Sequence, residues 1–382
     1  MFELTEQQQS LKEAAYRLAI NEFKDKARGW DENSEYPEAN HHRLAELGYL
    51  GLSIEEQYGG SGLGLTDVYV VVEEIAKVCM TTALLVHDQN VSPRILATYG
   101  SDEIKQRFMP RFAKGEIHCS IAWTEPQAGS EATAISTTAV RDGDHYVING
   151  QKVFTTFGDL ADYHLLYARF GESKGAKGIG ILMMENHQPG ITIHTLPGKM
   201  GTRGANECEM FFDNVRVPVE NVIIEGDPNS SAGFVKPLQI YNGTRVGMGI
   251  LALGTAEGAF DLAKEYMKSR KQFGQYLSEM QGLQWMMADM AIQIEAARLL
   301  CYQALALFDK GTPDPYLSSV AKVQATEMAQ TVTHQCQQMF GGYGYFNLNP
   351  LERMVRDVRM LTITGGTTQV QKNNIARHIF QS

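Results

Sequence analysis

The sequence predicts an α+β fold in three parts: a helical N-terminal unit, a β-rich middle unit and a helical C-terminal unit. Three observations carry this. Apolar residues recur at helical spacing from Leu4 to about Lys114. From Ile117 the texture changes to short apolar runs punctuated by Gly, Pro and Asn. From Phe234 long amphipathic stretches return. The 382 residues exceed one small core, and 43% hydrophobic with 20% charged residues is an ordinary globular composition. The boundaries implied are 1–116, 117–232 and 233–382.

In the first unit, Leu11, Ala15, Leu18 and Ala19 mark one helix face, and Val68, Val71, Val72 and Ile75 mark another. Between them, Tyr58-Gly59-Gly60-Ser61-Gly62-Leu63-Gly64 lacks the βαβ surroundings of a nucleotide loop. It reads as a surface loop before a helix that starts near Thr66 and Asp67. In the middle unit, Tyr146–Ile148 and Gln151–Thr155 flank Asn149-Gly150, which predicts a β-hairpin with a type I′ turn. Further strands are expected at Tyr163–Phe170, Gly178–Met184, Ile191–Leu196 and Cys208–Val217, ending around Gly226–Gly233. In the last unit, Val246–Met267, Gln281–Phe308 and Pro315–Phe340 read as helices, with a break at Asp309–Asp314. Gly247, Gly249, Gly254 and Gly258 allow a neighbouring helix to approach closely. No internal repeat is visible.

The net charge of −10 argues against nucleic acid or an anionic membrane as the main partner. Cys79, Cys119, Cys208, Cys301 and Cys336 are scattered and form no CxxC or Cys/His cluster. They read as reduced thiols of a cytoplasmic protein without a metal site. No uninterrupted run of about 18 apolar residues occurs, so no membrane span is expected. The opening Met1-Phe2-Glu3-Leu4-Thr5-Glu6 is amphipathic and acidic, unlike a signal or transit peptide.

The chemistry is written in an ordered set of short motifs. These are Trp123-Thr124-Glu125-Pro126-Gln127-Ala128-Gly129-Ser130, Lys152-Val153-Phe154-Thr155-Thr156, Arg270-Lys271-Gln272-Phe273-Gly274, Gln338-Met339-Phe340-Gly341-Gly342, Arg356-Asp357 and Gly366-Thr367-Thr368-Gln369. Each is weak alone: a Gly-Gly after a helix is usually a cap, and a lone Arg usually a solvated surface residue. Together and in this order they resemble the acyl-CoA dehydrogenase family over essentially the whole chain.

The resemblance implies that family's fold, with a β-barrel-like middle domain and a C-terminal four-helix bundle, and it implies FAD. Groups at Trp123, Thr124, Ser130 and Thr156 would bind the flavin, and Phe154 would wall one face of its ring. Arg270, a planar cation suited to phosphate oxygens, would pair with the pyrophosphate. Phe273, Gln281, Gln338, Gly341, Gly342, Thr367 and Gln369 complete the cofactor set. In the family, the Arg270 and Gln338–Gly342 elements serve the flavin of a neighbouring subunit, so a homo-oligomer, dimer or tetramer, is implied. Ser130, Asn242, Thr244, Arg245 and Thr364 are expected on the substrate side, with an acyl thioester of CoA or a carrier protein as ligand. Electron-transferring flavoprotein is the implied electron acceptor.

One departure matters. The family's catalytic Glu stands just before Gly-Thr-x-Gln, and here Gly365 occupies that place. Some members carry Glu directly before the Arg of an earlier helix, and here that residue is Thr244. Gly365 retains a backbone N–H able to hold the thioester carbonyl, and the small Thr364 and Gly365 leave extra room. Three readings follow: a dehydrogenase with a relocated base or an unusually acidic substrate, a lyase, or a binding subunit without turnover. The segments around Tyr241–Gly247, Gly282–Trp285 and Gly365–Thr367 are similar to a family subgroup that releases sulfite from 3-sulfinopropionyl-CoA and also lacks the Glu. That subgroup holds its anion with an Arg just after the position of Cys79. Met80–Leu84 contains none, and Arg94 is the next arginine in the chain.

Overall fold

The computed structural model describes residues 3–381. Met1 and Phe2 of the opening segment, with Ser382, lie outside the described residues. Six helices come first: α1 (Glu6–Leu18), α2 (Ala27–Asn33), α3 (Glu38–Glu46), α4 (Leu65–Ala76), α5 (Met80–Tyr99) and α6 (Asp102–Ala113). Their starts follow local chemistry. The Thr5 hydroxyl accepts from Gln8 N at 3.2 Å while the Gln8 side chain accepts from Thr5 N, a reciprocal cap on α1. Ser101 caps α6 through Ile104 N. Helix α4 begins at Leu65, and its cap comes from far away. Asp309 accepts from Leu65 N at 2.6 Å and Thr66 N at 3.0 Å.

Eight strands then form one sheet: β1 (Cys119–Ala122), β2 (Thr138–Asp142), β3 (His145–Thr156), β4 (Tyr163–Phe170), β5 (Ile179–Glu185), β6 (Ile191–Thr195), β7 (Glu207–Pro218) and β8 (Val222–Ile224). Their order is β6-β7-β3-β2-β4-β5-β8, with β1 parallel to β4. The sheet encloses its own apolar core, including Ile148, Leu166, Leu182, Met210 and Val217.

The expected hairpin at Asn149-Gly150 is not there. Residues 145–156 form one continuous strand, and the two-residue turn is Gly143-Asp144, joining Asp142 to His145. Gly150 instead sits at an irregularity in the β3–β7 register, where a Cβ would lie 2.7 Å from Thr137 Cα. Asn-Gly favours the backbone of a tight turn, but here a crowded strand uses the missing side chain.

The last unit contains α7 (Ala232–Ser269), a small β9–β10 hairpin (Lys271–Gln272, Gln275–Tyr276), α8 (Gln281–Asp309), α9 (Pro315–Met339), α10 (Leu351–Leu361) and α11 (Thr368–Gln381). The bundle shares a core with α1, α4 and α5. The glycines of α7 act as expected: a Cβ at Gly254 would meet Glu73 O at 2.2 Å, and one at Gly258 would meet Lys77 O at 2.1 Å. Asp314 caps α9 through Tyr316 N and Leu317 N.

By length and composition α7 and α8 are apolar enough to cross a membrane, although no uninterrupted apolar run flags them. In α7, 78% of the most apolar window is buried inside the protein, so its apolarity serves the core. Helix α8 is only 33% buried by the same measure and exposes Trp285, Ile292 and Leu299 at seven-residue spacing.

Candidate active site

A cleft of about 700 Å³ opens between the sheet and the turn after α10, walled by Thr124, Ser130, Phe154, Thr156, Gly365 and Thr367 among others. Phe154 reaches it because the β3–β7 register shifts between Lys152 and Thr155 and Phe154 takes a left-handed φ of 56°. A bulky residue held there is strained, and its ring is 63% exposed on the cleft.

Behind this wall lies a buried ion pair. The Lys152 ammonium, with no exposed surface, donates to Glu125 Oε1 at 2.8 Å and to Trp123 O at 2.9 Å. Glu125 also accepts from Ser136 N at 2.6 Å and Thr137 N at 2.9 Å. Burial alone would raise the Glu125 carboxyl, but the Lys152 charge and these hydrogen bonds bring it down to about 2. Burial pulls Lys152 down to about 8 against the opposing attraction of Glu125. With Val153 N donating to Thr124 O at 2.9 Å, the pair locks the Thr124 loop to the strand carrying Phe154 and Thr156. Spacing of 27 residues hides this pair in the sequence.

The floor is polar. Thr156 Oγ1 donates to Glu207, 3.1 Å from Oε2, and Lys199 Nζ donates to Glu207 Oε1 at 2.9 Å. Burial raises the Glu207 carboxyl, partly offset by Lys199.

The opposite wall is the turn through Gly365 and Gly366, with φ of 66° and 90°. Two cations hold it from behind: Arg245 Nε donates to Gly365 O at 3.3 Å and Lys322 Nζ donates to Gly366 O at 2.9 Å. Lys322 is fully buried and pushed down to about 8, first by burial and then by Arg245. A lone lysine inside an apolar helix pattern gave no signal of this role. The Asn242 carboxamide oxygen accepts from Arg245, orienting it. With both carbonyls turned back, the Gly365 N–H is left without a hydrogen-bond partner among the described residues. Thr364 also lines the cleft, whereas Thr244 is buried and donates back to Ile240 O. No carboxylate stands on this turn.

The remaining expected residues lie elsewhere. Arg270, Gln338, Gly341 and Gly342 line a second cavity of about 500 Å³ at the end of α9. Phe273 projects from the β9–β10 turn, 94% exposed, and Gln281 and Gln369 are exposed in the first turns of α8 and α11. Trp123 stands behind the cleft: its indole stacks on Tyr167 at 4.3 Å. Arg94 turns inward, with Nη1 buried and without a hydrogen-bond partner among the described residues, 3.3 Å from where a Gly243 Cβ would be. Glu73, Glu74 and Glu257 converge within 4.8 Å, the one grouping of metal-ligand type among the described residues. Lys77 lies 2.8 Å from Glu74 and 3.2 Å from Glu257, and Arg298 pairs with Glu73 and Glu257, so the group is an ion-pair network.

The donor set fits a flavin. An exposed aromatic face suits a planar ring, the Thr124 and Thr156 groups suit its polar edge, and Arg270 with Gly341-Gly342 suits phosphates. The comparisons with known proteins agree. Residues 5–116, 120–215 and 232–380 match the N-terminal, middle and C-terminal domains of acyl-CoA dehydrogenase. The chain is 39% identical to the short-chain specific acyl-CoA dehydrogenase of Clostridium acetobutylicum, covering 100% of both. It is also 39% identical to the 3-sulfinopropanoyl-CoA desulfinase of Paraburkholderia xenovorans, covering 98% of this chain and 96% of that one. A chain solved in work on the electron transferring flavoprotein of Acidaminococcus fermentans superposes with a TM-score of 0.95 at 35% identity, covering 100% of both. This chain therefore belongs to the acyl-CoA dehydrogenase family of FAD-dependent enzymes that act on acyl thioesters.

Proposed function

We propose that this protein is a cytoplasmic, FAD-dependent dehydrogenase of an acyl-CoA thioester that works without a carboxylate at the usual position and passes its electrons to an electron-transferring flavoprotein. The observation that carries this reading is the unpaired Gly365 N–H, on the same cleft as Thr124, Phe154 and Thr156. A donor with no partner among the described residues, held by two cations behind it, is a preorganised partner for a thioester oxygen. When bound, the flavin supplies the two-electron acceptor. The chain's own work is positional. Phe154 and the Thr124 loop set one face of the ring, Gly365 holds and polarises the carbonyl, and Ser130 stands at the cleft wall for the carrier arm.

Arg270, Gln338, Gly341 and Gly342 line a cavity separate from the one that holds Phe154. A second copy of the chain would bring such a set to the cofactor, and the exposed Trp285, Ile292 and Leu299 offer an apolar stripe for assembly. The test is anaerobic titration of the purified flavoprotein with a panel of acyl-CoAs. Loss of the visible flavin absorbance with one thioester is the expected result; no loss with any member of the panel removes the dehydrogenase reading. One observation favours a second reading. The buried Arg94 Nη1, without a hydrogen-bond partner among the described residues, would offer an anionic acyl tail a charge partner, as in a desulfinase. Sulfite release from 3-sulfinopropionyl-CoA without loss of flavin colour would establish that alternative.

A further inference from the structure

Dehydrogenation of a thioester removes a proton as well as a hydride, and neither Gly365 nor Thr244 can take one. A small cavity of about 60 Å³ adjoins the cleft, lined by Asp88, Ser92, His118, Ser120, Thr156 and Phe157 among others. Thr156 lines both cavities, which places this one directly beside the cleft. Ser120 Oγ donates to Thr156 O at 2.7 Å, tying the two walls together. Among the described residues, two carboxylates line the combined space, Glu207 and Asp88. Glu207 is engaged by Lys199 and by the Thr156 hydroxyl. Asp88 makes no hydrogen bond with any described residue. Its side chain is 26% exposed, and the adjacent His87 Nε2 stands 4.0 Å away. Resting on the dehydrogenase reading above, we infer that Asp88 is the general base of this enzyme, taking over from α5 the role of the absent glutamate.

The step balances. An Asp88 oxygen accepts a proton from an acyl C–H beside, or conjugated with, the thioester carbonyl. The electron pair of that bond would become the new C=C bond, and the flavin, when bound, would supply the two-electron acceptor for the hydrogen that a second carbon gives up with its electron pair. The proton returns to water, and the two electrons leave to the electron-carrier protein. Gly365 N–H would hold the carbonyl from the cleft, and Asp88 would act from the adjoining small cavity.

The surroundings suit a base. Burial raises the Asp88 carboxyl to about 8, helped by Glu207 and opposed by Lys199. A base working near its own pKa combines availability with driving force. Other titratable groups face it from every side: His87 on α5, His118 before β1, Tyr69 on α4, Tyr241 on α7, and Glu207 with Lys199 from the sheet side. Burial lowers both His87 and His118 to about 3, so neither imidazole competes as a base or pairs with Asp88 near neutral pH.

The test uses holoenzyme with and without Asp88→Asn, and three readouts. Deuterium uptake from heavy water into bound acyl-CoA, read by mass spectrometry, reports proton removal without requiring flavin reduction. It should rise with pH through about 8 in the wild type and fall by about 10² to 10⁴ in Asp88→Asn. Asp88→Glu should recover part of the rate. The spectral shift on thioester binding should survive in all variants. Infrared titration should show a protonated carboxyl band disappearing near pH 8, absent from Asp88→Asn. Exchange at the wild-type rate in Asp88→Asn, no exchange in the wild type with any bound thioester, or no such band would overturn the assignment. Exchange that depends on Asp88 without flavin bleaching would keep the base and discard the dehydrogenase reading.

Discussion

Gly365→Glu is the sharpest perturbation of this site. It returns a carboxylate to the place where the family's base stands, and the structure sets its cost. The residue has a φ of 66°, which an L side chain adopts at about 1 kcal/mol. A Cβ there meets one atom within 4 Å, Met248 Cγ at 3.3 Å, the middle of a flexible side chain that can give by a few tenths of an ångström. The contrast is Gly201, where a Cβ would lie 2.4 Å from the Arg356 backbone. The variant should therefore fold, retain FAD and melt only a few degrees lower. Arg245 and Lys322 bond the neighbouring carbonyls and would keep the new acid ionised. A positioned base contributes about 10² to 10⁴ in rate, so anaerobic stopped-flow bleaching by a plain saturated acyl-CoA should accelerate by that order. Bleaching at the wild-type rate, with FAD retained and thioester binding intact, would refute the idea that Gly365 occupies the base position.

Other predictions follow from the same geometry. Lys152→Met strands Glu125 in the interior and should cost about 3–5 kcal/mol in urea unfolding; a loss under 1 kcal/mol would show that the pair is not the lock between the Thr124 loop and β3. In the wild type, Glu125 titrates at about 2 when folded against 4.5 ordinarily. Its contribution, about 3 kcal/mol at most, is therefore complete above pH 4.5 and lost as pH falls toward 2. In Lys152→Met the sign reverses, because an unpaired buried carboxyl has its pKa raised, so that variant should gain stability as pH falls from 7 to 5. Unfolding curves at stepped pH decide this, and parallel profiles for the two proteins would contradict it. Trp285→Glu should shift the assembly toward smaller species in sedimentation velocity, leaving the secondary structure unchanged; an unaltered oligomer would clear that stripe of any role in assembly.

Much of the molecule was legible from local pattern. The helix expected to start near Thr66 and Asp67 begins at Leu65, and the break expected at Asp309–Asp314 separates α8 from α9. The glycines of α7 announced close packing, and Gly254 and Gly258 indeed touch backbone of α4 and the residue after it. The motif residues Thr124, Ser130, Phe154, Thr156 and Gly365 do meet on one cleft. The Asn149-Gly150 hairpin was misread because turn propensity is a two-residue property, whereas the strand there is stabilised by pairing with β7 over its length. Asp309 as the cap of α4 was invisible, since 243 residues separate it from Thr66.

Sequence alone determined the three-part α+β order, the family and the absence of a carboxylate at positions 244 and 365, because periodicity, capping and short motifs are carried by neighbours in the chain. Tertiary structure decided how the site is held and what can replace the missing acid. Glu125 meets Lys152 across the wall, Arg245 and Lys322 converge on the carbonyls of one turn, and Asp88 comes to share a cavity wall with Thr156. Burial gives these charged groups their shifted acidities, and burial is a property of the packed whole rather than of any segment.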